Sequence, residues 1–173
     1  CGQLFQITEI EAAVVSQGVA QLPPDRQHRL RSQARSYLDQ RRKLVRSLRH
    51  GEPEAWGSLP PPGSRLPCPA LDTTTGACQI YEHRPLICRK FGIPLYNPEK
   101  PGQVFACELN FRNGEPIDDG ELVQIQTEIH WDWKQVQTDY NDKGGYRDPE
   151  PISVARAIVE DFRPCLDGFP PTR

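Results

Sequence analysis

Hydrophobic positions recur at helical spacing in four stretches of the chain and thin out between them. In the first, Ile10, Val14 and Val15 follow Thr8, whose hydroxyl is placed to cap a helix, with Glu9 and Glu11 in the first turn. Pro23-Pro24 ends that helix. A second is predicted from Asp25 to about His50, where Leu30, Ala34, Leu38, Val45 and Leu48 draw a thin apolar stripe through basic sequence and Gly51 supplies the stop. The clearest amphipathic pattern runs from Asp119 to about Tyr140, with Leu122, Ile125, Ile129, Trp133 and Val136 three or four apart and Lys143-Gly144-Gly145 closing it. A last helix is expected from about Ser153 to Phe162, with Val154, Ile158 and Phe162 on one side. The main core is therefore expected from Leu122, Ile125, Ile129, Trp133, Val154, Ile158 and Phe162.

Between these helices the pattern breaks down. Residues 52–67 form a Pro-rich connection, in which Pro60-Pro61-Pro62-Gly63 excludes helix and central strand alike. Residues 68–107 are rich in turn formers, with short strand signals only at Gln79–Tyr81 and Val104–Ala106. The fold class this implies is mainly α with little β, helices surrounding an irregular segment. The length of 173 residues suits one domain, 1–173, made of N-terminal helices (1–51), the connection, the segment 68–107 and C-terminal helices (119–163). No internal repeat is visible.

Composition narrows the class. Prolines and glycines together make 31 residues, well above the average share. Such a chain holds long irregular stretches that hydrophobic burial alone struggles to order, the setting in which a metal or covalent crosslink matters most. No stretch approaches the roughly 18 apolar residues of a membrane span, which excludes a transmembrane segment here. A net charge of −2 argues against a generally basic nucleic-acid binder. Yet nine basic residues, Arg26, Arg29, Arg31, Arg35, Arg41, Arg42, Lys43, Arg46 and Arg49, crowd the second helix against the single acid Asp39. This Arg26–Arg49 helix is either a solvated face or a docking surface for an acidic protein, RNA or anionic lipid.

Six cysteines carry the candidate chemistry. Their spacing is Cys68-x9-Cys78-x9-Cys88-x18-Cys107, with Cys1 far upstream and Cys165 downstream. Three disulfides and a metal-thiolate site are both compatible with the number, and no pair has the C-x2-C spacing of a zinc ribbon. The surrounding residues say more: Cys68-Pro69-Ala70-Leu71, then Gly76-Ala77-Cys78-Gln79-Ile80-Tyr81-Glu82-His83-Arg84-Pro85-Leu86-Ile87-Cys88-Arg89-Lys90-Phe91. This string resembles the YkgJ-like cysteine-cluster family of zinc- or iron-chelating domains, which carries C-x-x-L, then G-x-C-x-I-Y-x-x-R-P-x-x-C-R and a further downstream cysteine. Eight residues within Gly76–Arg89 agree in type and spacing. Cys1 followed by Ile7-Thr8-Glu9-Ile10-Glu11 looks like the tail of the family's N-terminal cysteine-rich element, of which only one cysteine is present. With no methionine in the chain, the expectation is that neighbouring cysteines precede Cys1. The resemblance covers about sixty residues and leaves the basic helix and the C-terminal helices outside it.

The resemblance implies a cytoplasmic metal-binding protein in which Cys1, Cys68, Cys78, Cys88 and Cys107 hold zinc or an iron–sulfur cluster, stapling the irregular segment. Thiolates suit both metals, binding zinc at about 2.3 Å in a tetrahedron. Four of them on Zn²⁺ leave a net charge of about −2, to which Arg84 and Arg89, flanking Cys88, are placed to donate hydrogen bonds as supporting groups. Cys165 has no counterpart in the motif and reads as an unbridged thiol. His83 falls in a variable slot and reads as exposed rather than as a ligand; His28, His50 and His130 lack the spacing of a site.

Other readings of Cys1, a lipidated residue or an N-terminal nucleophile, need a signal peptide or an oxyanion and base set that the sequence does not display. Whether the protein is an enzyme stays open, since there is no H-E-x-x-H, phosphate loop or nucleotide fingerprint. Two alternatives to a metal-centred function are a non-catalytic adaptor with a structural metal and a docking basic helix, and a thiol-based redox sensor. Oligomeric state is not legible.

Overall fold

The computed structural model describes residues 5–48, 66–90, 95–96, 104–105 and 120–167, with side chains for 5–43, 66–90 and 128–167. The fold is mainly α, as expected, with β structure limited to two-residue strands among the described residues. The chain divides into two compact units, Cys1–Pro85 with Tyr146–Arg173, and Leu86–Gly145.

In the first unit, helix α1 (Glu9–Gln21) starts as the sequence dictates. The Thr8 hydroxyl accepts from the Glu11 N–H at 3.3 Å, and the Glu11 carboxylate accepts from the Thr8 N–H at 3.0 Å, a reciprocal capping box. Unlike a surface helix, α1 buries Ala12, Ala13, Val15, Ser16, Gly18 and Val19 rather than a single stripe. Small side chains allow neighbours to approach it closely. Helix α2 (Pro24–Leu48) begins on a proline, which the first helical position tolerates because its N–H would have no partner there. At the corner, the Gln27 amide donates to the carbonyls of Ala20 (3.1 Å) and Leu22 (2.8 Å), satisfying groups left open where α1 ends. Leu30 and Ala34, the inner end of the predicted stripe, are fully buried; Leu38 is half-buried. Val45 and Leu48 lie outside the described side chains.

Strand β1 (Gln6–Ile7) pairs antiparallel with a distant strand, Ile152–Ser153, placing Gln6 opposite Ser153 and Ile7 opposite Ile152. Both isoleucines are buried. Helix α5 (Val154–Val159; α3 and α4 belong to the second unit) follows at once, its first turn capped by the Ser153 hydroxyl accepting from the Arg156 N–H at 3.2 Å. It packs against both α1 and α2, with Ala155, Ala157 and Ile158 inward. The end of α5 is held by a buried serine of α1. The Ser16 hydroxyl donates to the carbonyls of Ala157 (2.9 Å) and Glu160 (3.2 Å) and accepts from the Phe162 N–H at 3.1 Å. Phe162 is buried, and a 3₁₀ turn, Arg163–Leu166, follows it and packs on α1.

An ion-pair network fixes the segment that leads into this corner. The Arg156 guanidinium binds Asp148 bidentately, at 2.7 and 2.9 Å, and donates to Glu160 at 2.9 Å and to the Glu150 carbonyl at 3.2 Å. The Asp148 carboxylate, only 4% exposed, also accepts from the Glu150 N–H and the Tyr146 hydroxyl. Its own N–H donates to the buried Glu9 carboxylate at 3.0 Å, tying the loop to the start of α1. Arg156 holds the Asp148 carboxyl below the usual carboxylate range, against the opposing effect of burial.

The second unit contains α3 (Leu86–Lys90), the antiparallel pair β2 (Leu95–Tyr96) and β3 (Val104–Phe105), and α4 (Gly120–Asp142). Helix α4 packs on β2 and ends in a Schellman motif. Gly144 takes a left-handed φ of +75°, its N–H donates to the Asn141 carbonyl at 3.0 Å, and the Gly145 N–H donates to the Tyr140 carbonyl at 2.9 Å. Tyr140 lies over Gly145, where a Cβ would clash with its ring.

Two expectations are corrected. Among the described residues the apolar positions of α4 are not the main core: Ile129 is 38% and Val136 42% exposed and Trp133 is half-buried, while the side chains of Leu122 and Ile125 lie outside the described residues. A 3.6-residue period shows that a helix is amphipathic but not how much surface meets it. The core instead comes from small and medium residues of α1, α2 and α5, of which the expected Ile158 and Phe162 are part. Gln79–Tyr81 is a turn rather than a strand, whereas Val104–Phe105 does pair. The β1 pairing had no signal in two-residue segments 145 positions apart.

Two measurements test this account. Ser16→Ala removes the hydroxyl that closes α5 and is expected to cost about 2 kcal/mol in denaturant unfolding. A carboxyl with a depressed folded-state pKa contributes stability that is complete above its unfolded value of about 3.9 and is lost as the pH falls through the folded value. Asp148→Asn should therefore be less stable at neutral pH and show a shallower loss below about pH 4 than the parent. Equal acid limbs would remove Asp148 from the linkage.

Candidate metal centre

The cysteine motif opens with a tight turn. Pro69 follows Cys68, and the Leu71 N–H donates to the Cys68 carbonyl at 3.0 Å. The chain then runs out and back as a miniature hairpin, in which Asp72 N–H donates to the Ala77 carbonyl and Gln79 N–H to the Ala70 carbonyl, each at 2.8 Å. Leu71 thereby faces Cys78 across a single antiparallel bridge.

The hairpin tip is built by local side chains. Asp72 accepts through Oδ1 from the N–H groups of Thr74 (2.9 Å) and Thr75 (3.2 Å), and these contacts lower its pKa. The Thr75 hydroxyl accepts from Ala77 N–H, and Gly76 turns the chain with φ +72°. The base of the hairpin is anchored by Ala70 and Ile80, both buried. This construction brings Cys68 and Cys78, ten positions apart, into electrostatic reach of one another. Burial pushes the Cys68 thiol up, the N–H groups of Ala70 and Leu71 pull it down, and the negative charge of Cys78 pushes it up again. A cation held by the pair reverses that balance, since a coordinating thiol is deprotonated outright.

Beyond Ile80 comes a 3₁₀ turn, Tyr81–His83. Arg84 folds back over it: its guanidinium lies 3.6 Å from the Tyr81 ring centroid and its Nε donates to the Tyr81 carbonyl at 3.1 Å. Arg84 itself is extended, as the residue before Pro85 must be, and Pro85 is buried. The turn is seated on α1. Gly18 presents bare backbone to His83, and a Cβ there would stand 2.5 Å from His83 Cβ and Cγ. His83 is therefore half-buried against α1, not exposed as its slot in the motif suggested.

In the second unit Cys88 is half-buried on α3, with Arg89 exposed beside it. Lys90 approaches His130 Nδ1 at 3.4 Å, and His130 stacks on Trp133 at 5.9 Å. Burial, with the charges of Lys90 and Lys134, lowers the His130 pKa. Cys165 sits in the 163–166 turn, where burial and the nearby acids Glu9 and Asp148 push its thiol up. Cys68, Cys78, Cys88 and Cys165 form no disulfide. Among the described residues no three His, Cys, Asp or Glu side chains gather into a metal cluster. Cys1 and Cys107 lie outside the described residues.

Two thiols brought within electrostatic reach of one another by a short hairpin are the donor chemistry of a metal–thiolate protein. The family comparison agrees: residues 13–103, more than half of the chain, match the CxxCxxCC family, described as a putative zinc- or iron-chelating domain, and the chain belongs to it. The match runs through α2, so the basic helix is part of the family region although the short motif left it out. No curated protein and no solved structure matches.

Sequence reasoning found the cysteines but not what positions them. Gly18 had no signal beyond being a glycine inside a helix. The Asp72-Thr73-Thr74-Thr75-Gly76 run was readable as a side-chain-capped turn. If the seat of the motif on α1 is as tight as it stands, Gly18→Ala should cost about 1–3 kcal/mol in thermal unfolding, as overpacking does. His83→Gly, which removes the clashing side chain, should recover part of that loss in the double variant. An unshifted melting temperature for Gly18→Ala would refute the contact.

Proposed function

We propose that the protein is a metal-binding cysteine-cluster protein that holds zinc or an iron–sulfur cluster through thiolates. Cys68 and Cys78 are the pair from which the site is built, with Cys1, Cys88 and Cys107 as the further ligands that the motif supplies. The observation that carries the reading is the hairpin that folds the Cys68 turn back along Cys78, with Leu71 bridged to Cys78 and Gln79 bonded to Ala70. Family membership supports a metal in general terms.

The residues fit such a group. Thiolates are ligands for zinc and for iron–sulfur clusters alike, and backbone N–H donors spread their excess negative charge. Bound there, the metal supplies an electrostatic centre that orders a Pro- and Gly-rich segment, or a Lewis-acid or redox site if a coordination position is open. Arg84 and Arg89 are proposed as donors to the site's negative charge. Arg84's contacts with Tyr81 already hold it in the motif's turn. Thiolate ligation needs a reducing compartment, and a cytoplasmic location is part of the proposal. Among the described residues no helix is long and apolar enough to cross a membrane.

Elemental analysis and visible absorption of protein purified with and without air decide between the metals. Zinc gives a colourless sample, whereas an iron–sulfur cluster gives a brown one. Cys78→Ser is expected to lower bound metal to less than about half and, if the site is structural, to unfold the first unit at a lower temperature. Protein that holds neither metal in either preparation, with its cysteines oxidised to disulfides, would sink the proposal.

A further inference from the structure

The hairpin and α2 enclose a groove of about 600 Å³ within the first unit. Its lining includes Arg26, Arg29, Gln33 and Tyr37 from successive turns of α2, and Cys68 and Thr74 from the hairpin. The volume is that of a small-molecule site, but the lining is mainly polar, unlike the apolar pockets that take uncharged ligands. Filling it with an apolar molecule would strip water from guanidinium, amide and hydroxyl groups without replacing their hydrogen bonds.

The arginines decide the sign of the occupant. Elsewhere on α2, Arg31 binds Gln27 and Arg42 binds Asp39. Arg26 and Arg29 make no hydrogen bond or ion pair among the described residues, and they stand three positions apart on the edge of α2 that lines the groove. The one acid in the lining, Asp72, already has one oxygen committed to the backbone of Thr74 and Thr75. Two forked cations against one engaged carboxylate leave the α2 side of the groove positive, away from Cys68, and guanidinium forks match oxyanions bidentately.

We propose that this groove binds a small organic oxyanion, a phosphate or carboxylate held by Arg26 and Arg29, alongside the hairpin that carries Cys68. The proposal rests on the arginines and the groove, not on the metal. The whole protein is titrated calorimetrically with adenosine 5′-monophosphate, with citrate and with uncharged adenosine. Binding of the phosphate, the carboxylate or both at about 1 mM or tighter, weakened by salt, is expected, with no binding of adenosine. The two anions tell a phosphate site from a carboxylate site.

The double variant Arg26→Ala/Arg29→Ala should weaken binding at least about tenfold. Arg29→Lys, which keeps the charge but loses the fork, should weaken it less. Gln33→Glu, which adds a negative charge within the groove, provides an independent variant and should also weaken binding. Arg42→Ala, on the same helix but outside the groove, should leave binding unchanged. Neither anion binding, or Arg42→Ala weakening binding as much as the double variant, would overturn the proposal. Metal content measured on the same samples should be unaltered by Arg26→Ala/Arg29→Ala, so loss of anion binding and loss of metal are read separately.

Discussion

The first unit depends on how closely its parts approach α1. Most helices bury one stripe and leave the rest to solvent. This one buries small residues around most of its circumference: Ala12 and Ala13, Ser16, Gly18, and the two valines Val15 and Val19. Each small side chain admits a different neighbour. Ser16 admits the end of α5, and Gly18 admits His83 and with it the turn of the cysteine motif. Close approach brings backbone groups inward that would be costly without partners. That is why the one hydroxyl in this face, Ser16, serves two carbonyls and one N–H at the α5 corner. Packing and polar satisfaction are here the same constraint, imposed by the shortness of the side chains.

Much of this was legible in the sequence, and the parts that were not share a cause. The Thr8 cap of α1, the break at Pro23-Pro24 and the glycine stop of α4 are local devices, each written in a few adjacent residues, and they stand where the sequence puts them, although α2 starts one residue early, on Pro24 itself. The burial of Leu30 and Ala34 also follows from spacing. The errors concern partnership. The apolar face of α4 is a better amphipathic pattern than that of α1, yet Ile129 and Val136 are exposed while Ala12 and Ala13 are fully buried. Hydrophobicity scales reward large side chains. Close helix packing rewards small ones, and a run such as Glu11-Ala12-Ala13-Val14-Val15-Ser16 reads weakly for that reason.

The cysteine motif divides in the same way. Its wording identifies the family from residue types alone, because Cys, Tyr, Arg and Pro at fixed spacing carry chemistry that few alternatives satisfy. What the wording does not contain is the hairpin. Cys68 and Cys78 are neighbours because Asp72 caps the backbone of Thr74 and Thr75 and Gly76 accepts a left-handed turn. Neither residue is a ligand. The proline after Cys68 contributes in a similar way, setting the turn that the Leu71 N–H closes on the Cys68 carbonyl. Residues that position donors are thus more local, and more ordinary in type, than the donors they position.

The hairpin also explains why a charged groove is stable where it is. A concave surface lined by two arginines that have no partner among the described residues is an energetic liability unless water or an anion fills it. Its walls are set by elements held for other reasons: α2 by Leu30 and Ala34 in the core, the hairpin by Ala70 and Ile80. Asp72 contributes to both features at once, since its carboxylate orders the hairpin tip and lies near enough to Arg26 to feel its charge. Because the backbone claims that carboxylate first, it moderates the positive field without closing the groove. Freed from the backbone, the same carboxylate would be available to pair with Arg26, and the groove would lose the charge that gives it an occupant.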